Sequence, residues 1–314
     1  MSWPTGQKKD TERSEPSYLA IVNPAAGNGR CRRFSHATLG RVRRLGIDLV
    51  VSETTRRGEA SEIARKAYQQ GIRNFLAVGG DGTSFEVING LFPEASNPGG
   101  RIALGFLPLG TGNSFLRDFT TQGVEHTLQA LREKRRRACD VIRLRHAGGE
   151  LYFINLLSLG FPADVGETAN REFKRWGELG YIFAVFKRLV GLKHLRFTHR
   201  LGSRAEWNTE PALFLSFSNS KFTGGKMMIA PKADPSDGLI EYVRWAPVGR
   251  LDLLKNFPGL FTGKHIEHPL ASRAGTTRVE FRLDGPVNLM VDGEILNLDC
   301  RSLEILPGAF DAIV

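Results

Sequence analysis

The sequence predicts an α/β domain built on a parallel sheet, followed by a second, mainly antiparallel β-rich domain. Three observations carry this. Between residues 18 and 113, short apolar runs alternate with helix-patterned stretches, the mark of a parallel sheet with helices on both faces. The glycine-rich loops of that half all follow apolar runs, and so fall on the sheet edge where open α/β sheets take ligands. Beyond Asp140, short strand-like runs follow one another through turns rich in Gly, Pro, Asp and Ser, as in antiparallel sheets.

The elements read in order as follows. Tyr18, Leu19, Ala20, Ile21 and Val22 form a buried strand that leads into Asn23-Pro24-Ala25-Ala26-Gly27-Asn28-Gly29, a loop of turn formers. A helix over 32–45 carries arginines on its exposed side. Residues 47–51 are the next strand, 54–59 a polar loop with Thr54 and Gly58, and 60–70 a helix. The strand 75–78 runs directly into Gly79-Gly80-Asp81-Gly82-Thr83. A helix over 84–91 follows, opening on Ser84 and with Phe85, Val87, Ile88 and Leu91 as its apolar positions. The strand 102–107 ends in Pro108-Leu109-Gly110-Thr111-Gly112-Asn113. In the second half, 141–145, 151–159, 212–217, 239–245, 277–283 and 287–291 read as strands, interrupted by a helical stretch over 173–195. Residues 1–16 read as a polar, disordered tail.

Composition bounds the function. A chain of 314 residues can form two domains with a sizeable core. Its formal charge of +10 suits nucleic acid, an anionic membrane surface or a phosphate-rich substrate. Nucleic acid is set aside, because neither a recognised module nor an aromatic stacking platform accompanies the basic runs. The basic run 132–137 reads as an exposed helix end. No apolar stretch is long enough to span a bilayer, and the first residues lack a signal-peptide core. Cys31, Cys139 and Cys300 fit neither a zinc spacing nor an even disulfide framework, so a reducing, cytoplasmic compartment is expected. The seven histidines show no metal-ligand spacing.

The loops share one chemistry. Gly79, Gly80 and Gly82 let the backbone turn tightly and approach a phosphate with its N–H groups forward. The helix that follows adds a favourable dipole for an anion. Asp81 stands where a metal ion or an acceptor hydroxyl would use its carboxylate. The loops 23–29 and 110–113 repeat the pattern of glycine with small hydroxyl or amide side chains. Asp292-Gly293-Glu294 follows the strand 287–291; its periodicity favours a hairpin turn, for which Asp-Gly is the commonest signal, over a carboxylate pair around a glycine. Asp234-Pro235-Ser236-Asp237-Gly238 is turn-like, with oxygens suited to a hard cation.

This series resembles the diacylglycerol kinase catalytic family, which includes bacterial soluble lipid kinases and the sphingosine and ceramide kinases. The matching elements are Asn23-Pro24 with Gly27, Thr54 four before Gly58, Gly79 to Thr83, Pro108 to Asn113, Asp140, Asn155 with Gly160, Ala230-Pro231 with Asp237-Gly238, and Asp292-Gly293-Glu294. The resemblance implies a Rossmann-like nucleotide domain over 17–139 with 302–314, and a β-sandwich-like acceptor domain over 140–301. It also implies that ATP is bound by Asn23, Pro24, Gly27, Thr54, Gly79 to Phe85, Thr111 and Asn113. Glu294, with Asp292 beside it, matches the general base of the family, a role that Asp81 takes in proposals for the sphingosine branch. Asp237 with the carbonyls of Asp234 and Leu239 matches a structural Mg2+ site, and Asp140 supports the metal network. Two positions depart from the bacterial pattern: Phe85 stands for an Asn, and Ser114 for an Asp.

The expected activity is ATP- and Mg2+-dependent transfer of the γ-phosphate to a lipid hydroxyl, of diacylglycerol or a sphingoid or ceramide-type acceptor. The competing readings are a kinase of a soluble acceptor such as NAD, and a non-catalytic nucleotide- or lipid-binding protein. A lipid acceptor implies peripheral contact with the inner face of a membrane. Residues 173–200 mix cations with Trp176, Tyr181, Phe183 and Phe186, a composition that suits either a headgroup layer or packing into the second domain.

Overall fold

The computed structural model describes residues 17–97, 99–172, 183–184, 187–188, 191 and 195–314. Strands β1 (Tyr18–Val22), β2 (Leu49–Glu53), β3 (Asn74–Gly79) and β4 (Ala103–Pro108) pair in parallel in the order β2-β1-β3-β4. Helices α1 (Arg30–Arg43), α2 (Glu59–Gln69) and α3 (Asp81–Leu91) connect them, and α4 (Ser114–Arg117) and α5 (Val124–Arg132) follow β4. Leu19 and Ile21 face a core shared with Ala60, Ala64, Val87 and Ile88 of α2 and α3. Ala20 and Val22 face another, shared with Cys31, Leu39 and Val42 of α1 and Leu128 and Leu131 of α5. A strand covered on both faces carries apolar residues at every position, which is why β1 reads as a continuous run.

The second half contains β5 (Arg137–His146), β6 (Gly149–Phe153), β7 (Leu156–Gly160), α6 (Phe161–Glu172), β8 (Leu195–Arg196), β9 (His199–Leu201) and β10 (Pro211–Ala212). It continues through β11 (Phe214–Ser218), β12 (Phe222–Thr223), β13 (Met227–Met228), β14 (Ile240–Trp245), α7 (Arg250–Asn256) and α8 (Gly259–Thr262). It ends with β15 (Ala271–Thr276), β16 (Arg278–Phe281), β17 (Val287–Val291), β18 (Glu294–Leu298) and β19 (Cys300–Ile313). An antiparallel sheet, β15-β14-β11-β7-β17-β18, packs face to face on the continuation of the first sheet through β5, β19 and β16. Ile142, Leu144, Val279, Leu303 and Ile305 meet Leu157, Leu159, Leu215, Phe217 and Leu289 in the shared core. The alternate residues Leu156, Phe214, Val243, Trp245 and Met290 line the opposite face, with Ala163 and Val165 of α6 and Leu253 of α7. Each sheet therefore shows period-two alternation between two cores.

β19 joins the halves. Its residues 311–313 pair in parallel with 103–105 of β4, its length pairs antiparallel with β5, and residues 302–304 pair with β16. The boundaries read from the sequence, 139/140 and 301/302, thus lie inside β5 and β19, because single strands serve both halves.

Two sequence expectations change. The run 151–159 is two strands in different sheets, β6 and β7. It breaks at Ile154–Asn155 because the Asp292 carboxylate takes three successive backbone N–H groups there, from Ile154 (3.1 Å), Asn155 (2.9 Å) and Leu156 (3.1 Å). Amides satisfied by a side chain leave the ladder. The apolar pattern also does not announce α6, α7 or α8. The helical stretch 173–195 lies outside the described residues except at 183–184, 187–188, 191 and 195, and so does the tail 1–16. Among the described residues, no helix is long and apolar enough to cross a membrane.

Candidate active site

Three strand ends of the parallel sheet converge with the β17–β18 hairpin on one cleft of about 520 Å³. Glycine makes the convergence possible. Gly110 donates its N–H to the Gly79 carbonyl at 2.6 Å, and a Cβ on it would lie 2.5 Å from the Gly80 Cα. A Cβ on Gly27 would lie 2.7 Å from the Leu109 carbonyl oxygen. Backbone stands on both sides of these contacts, so no larger residue fits without moving a loop. Asn23 is pinned at the same point. Its N–H donates to the Val78 carbonyl, its Oδ1 accepts from Ala25 N–H at 3.1 Å, and its Nδ2 donates to Thr83 Oγ1 at 3.3 Å. The loop amides are thereby fixed before any ligand arrives.

Asn23, Gly27, Gly80, Asp81, Gly82, Thr83, Thr111, Asp292 and Glu294 line the cleft. Gly79, Ser84 and Asn113 lie behind it, around a smaller recess against Phe106 and Phe115. Pro24, Thr54 and Phe85 line neither. Pro24 is buried, Thr54 ties its N–H to the Val22 carbonyl at 2.8 Å, and Phe85 packs against the core between the sheets. The expectation of a nucleotide contact by Phe85 is therefore corrected: on the α3 side facing the second domain, its ring is an anchor between halves. Asn155, Lys226, Phe257 and Phe261, absent from the sequence expectations for the site, also line the cleft.

The carboxylates differ in environment. Asp81 opens α3, where its Oδ1 accepts from Ser114 N–H (2.6 Å) and its Oδ2 from Ser114 Oγ (2.8 Å). Burial pushes its pKa above the ordinary carboxylate value, and bonds from Ser114 and Phe115 oppose that. Ser114 Oγ also accepts from Gly225 N–H at 3.1 Å. The serine that departs from the bacterial pattern thus pins Asp81 to a loop of the second half. Asp292 sits at the hairpin tip with φ 47°, followed by Gly293 at φ 87°. The tip is both a tight hairpin and part of the cleft. Burial, with the negative charge of Asp81 adding to it, pushes Asp292 up to about 7 against the pull of its three amides. Two buried carboxyls, one raising the other's proton affinity, form a donor pair of the kind that a hard divalent cation satisfies.

Glu294 is the accessible carboxylate, its side chain 32% exposed. It lies beside Gly82, where a Cβ would stand 3.0 Å from Oε1, and it pairs with Arg57. Arg57 is carried by the loop before α2. Glu86 of α3 holds that loop, accepting from Gly58 N–H (2.9 Å) and Ala60 N–H (3.2 Å). Nothing in the local sequence announces this pair, which spans 237 positions.

Asp140, Asp234, Asp237 and Leu239 meet away from the cleft. Asp140 accepts from Gly238 N–H (2.7 Å) and Gly308 N–H (2.6 Å), so it ties the 234–239 loop to the bulge in β19. Asp237 accepts from Leu239 N–H at 2.9 Å, and burial raises its pKa, with Asp234, Asp140 and Glu241 adding to the rise. Asp234 pairs with Arg137 at 2.7 Å. Among the described residues, no group of three or more His, Cys, Asp or Glu side chains is arranged to hold a metal ion.

One consequence is measurable. Because Asp292 is raised above its unfolded value, the stability it confers is complete below about pH 4 and is lost as pH rises through about 7. The Cγ resonance of Asp292 in the cation-free protein should titrate with a midpoint near 7, and Asp292→Asn should flatten the fall in Tm between pH 5 and 8. A midpoint near 4 would remove the premise.

Comparison with known proteins agrees with this geometry. A family model described as a diacylglycerol kinase catalytic domain matches residues 17–144, and one described as a YegS C-terminal NAD kinase beta sandwich-like domain matches 155–314. A protein named diacylglycerol kinase from Mycobacterium tuberculosis is 29% identical over 94% of both chains. One named probable lipid kinase YegS-like from Chromohalobacter salexigens is 32% identical, over 86% of this chain and 85% of its own. A crystal structure of a putative diacylglycerol kinase from Bacillus anthracis shares the fold, with a TM-score of 0.75 over 98% of both chains at 22% identity.

Proposed function

Given that the chain belongs to the diacylglycerol kinase catalytic-domain family with the YegS-type second domain, we propose that it transfers the γ-phosphate of ATP to a lipid hydroxyl of the diacylglycerol or sphingoid class. The observation that carries the lipid reading is an apolar recess opening beside the phosphate cradle. Thr223, Met227 and Phe257 line both. Beyond them the recess, of about 30 Å³, is walled by Leu156, Phe161, Leu213, Trp245, Leu260 and Met290, an apolar lining that a hydrocarbon chain would have to part in order to enter.

The chain's own groups divide the work. Amides of the 27, 80–83 and 111 loops face the donor phosphates, and the start of α3 adds its dipole. Glu294 is the acceptor's general base, because it is the accessible carboxylate of the three, while Asp81 and Asp292 are buried and bonded to Ser114 and to the amides of residues 154–156. Arg57 sets its rotamer. Asp81 and Asp292 would hold a Mg2+ ion, which would supply neutralisation of phosphate charge when bound.

The test is transfer of labelled γ-phosphate from ATP and Mg2+ to a panel of dispersed lipids, with NAD as soluble competitor and Asp81→Asn as control. Label on one lipid class, lost in the variant, supports the reading. Label on NAD alone, or nucleotide binding without turnover on any acceptor, overturns it.

A further inference from the structure

Helices α7 and α8 and the turn between them carry apolar side chains both inward and outward. Inward, Leu253, Phe257 and Leu260 roof the apolar recess. Outward, Leu251 is 84% exposed, Leu254 38% and Phe261 44%. Clustered exposed apolar residues mark an interaction surface. Lys255 and Lys264 flank the patch, both exposed and in no ion pair among the described residues. Apolar side chains rimmed by cations suit the boundary between headgroups and acyl chains. The patch is also continuous with the cleft, since Phe257 and Phe261 line it.

We infer that the outer face of α7 and α8 enters the interfacial layer of a phospholipid bilayer, and that the acceptor passes from that layer into the recess beneath. The inference rests on the lipid-kinase reading for the second step only. Membrane entry stands on the patch itself. It locates contact on residues 250–262, which lie outside the 173–200 stretch in sequence. The occupant is a bilayer rather than a second copy of the chain, because the patch continues into an apolar-lined recess beside the cleft and the exposed cations Lys255 and Lys264 flank it.

The experiment uses the full chain with phosphatidylcholine–phosphatidylglycerol vesicles. Leu251→Gln should weaken vesicle sedimentation roughly ten- to a hundred-fold, the equivalent of one leucine no longer buried. Leu251→Gln/Leu254→Gln should weaken it further. Cys31, Cys139 and Cys300 are buried, so Leu251→Cys takes an environment-sensitive fluorophore selectively. Its emission should shift to the blue on vesicles. Leu251→Gln should keep wild-type turnover of a short-chain, monomeric diacylglycerol while losing turnover of the long-chain lipid in vesicles. Unaltered sedimentation of the variants, an unmoved label, or a label shift that tracks protein concentration and dimer formation without vesicles would each overturn the proposal. A wild type that binds vesicles in this way but phosphorylates no acceptor refutes the kinase reading and leaves the surface standing.

Discussion

Glu294→Gln is expected to lower kcat by roughly 10²- to 10⁴-fold, the range for loss of a positioned general base, while the Kd for ATP moves little. The amide keeps the shape of the carboxylate and still offers Arg57 an acceptor oxygen, so the hairpin tip and Gly82 stay in place. What it cannot do is accept the proton of the acceptor hydroxyl. Single-turnover transfer with saturating ATP and lipid, alongside nucleotide titration, separates the two effects. A kcat within a few-fold of wild type would move the base to Asp81 or Asp292. Arg57→Gln makes the companion case. Glu294 then keeps its chemistry and loses its orientation, so a smaller fall in kcat is expected.

Asp292→Ala should cost more than activity. The carboxylate satisfies three consecutive buried amides at the point where the chain leaves one sheet for the other. Each orphaned amide costs about 1–3 kcal/mol, so a loss of several kcal/mol is expected, measured by urea unfolding. Asn155 sits at the same crossing, with its Oδ1 accepting from Ser220 Oγ at 2.7 Å and its carbonyl from Asn219 and Ser220 N–H. Loosening residues 154–156 therefore disturbs a wall of the cleft as well, and ATP affinity should fall together with stability. A variant with wild-type stability and ATP affinity would show that the crossover stands without the carboxylate.

What was legible in the sequence follows from what is local. The parallel half is readable because each strand, loop and helix is contiguous, and because glycine is required where Gly110 backs onto Gly80. The antiparallel sheet is readable from short strand-like runs that follow one another through turns rich in Gly, Pro, Asp and Ser. The break between β6 and β7 is not, since Asn155 stands at the break but carries no trace of a carboxylate 137 positions away. For the same reason Arg57 is silent in its own loop, and Ser114 looks like a loss until Gly225 is placed against it. Phe85 shows the converse error. Its place next to the phosphate motif suggested a ligand contact, but on a helix one position further turns a side chain about 100° away, here toward the other half's core. Helices α7 and α8 are short, at seven and four residues, and α7 sets Arg250, Asp252, Lys255 and Asn256 among its leucines, so no one-sided pattern develops.

The shared strand β19 has a consequence for biosynthesis. While the ribosome is still translating residues before 300, β4 has only β3 beside it and presents an open, fully apolar edge, the kind of edge that templates aggregation. The phosphate-binding half, although encoded first, cannot close its sheet until the residues of β19 emerge. Folding from the N-terminus one domain at a time is therefore not open to this topology. Long-range pairing of this kind slows folding, so the nascent first half must be held from aggregating until β19 completes both halves in one step.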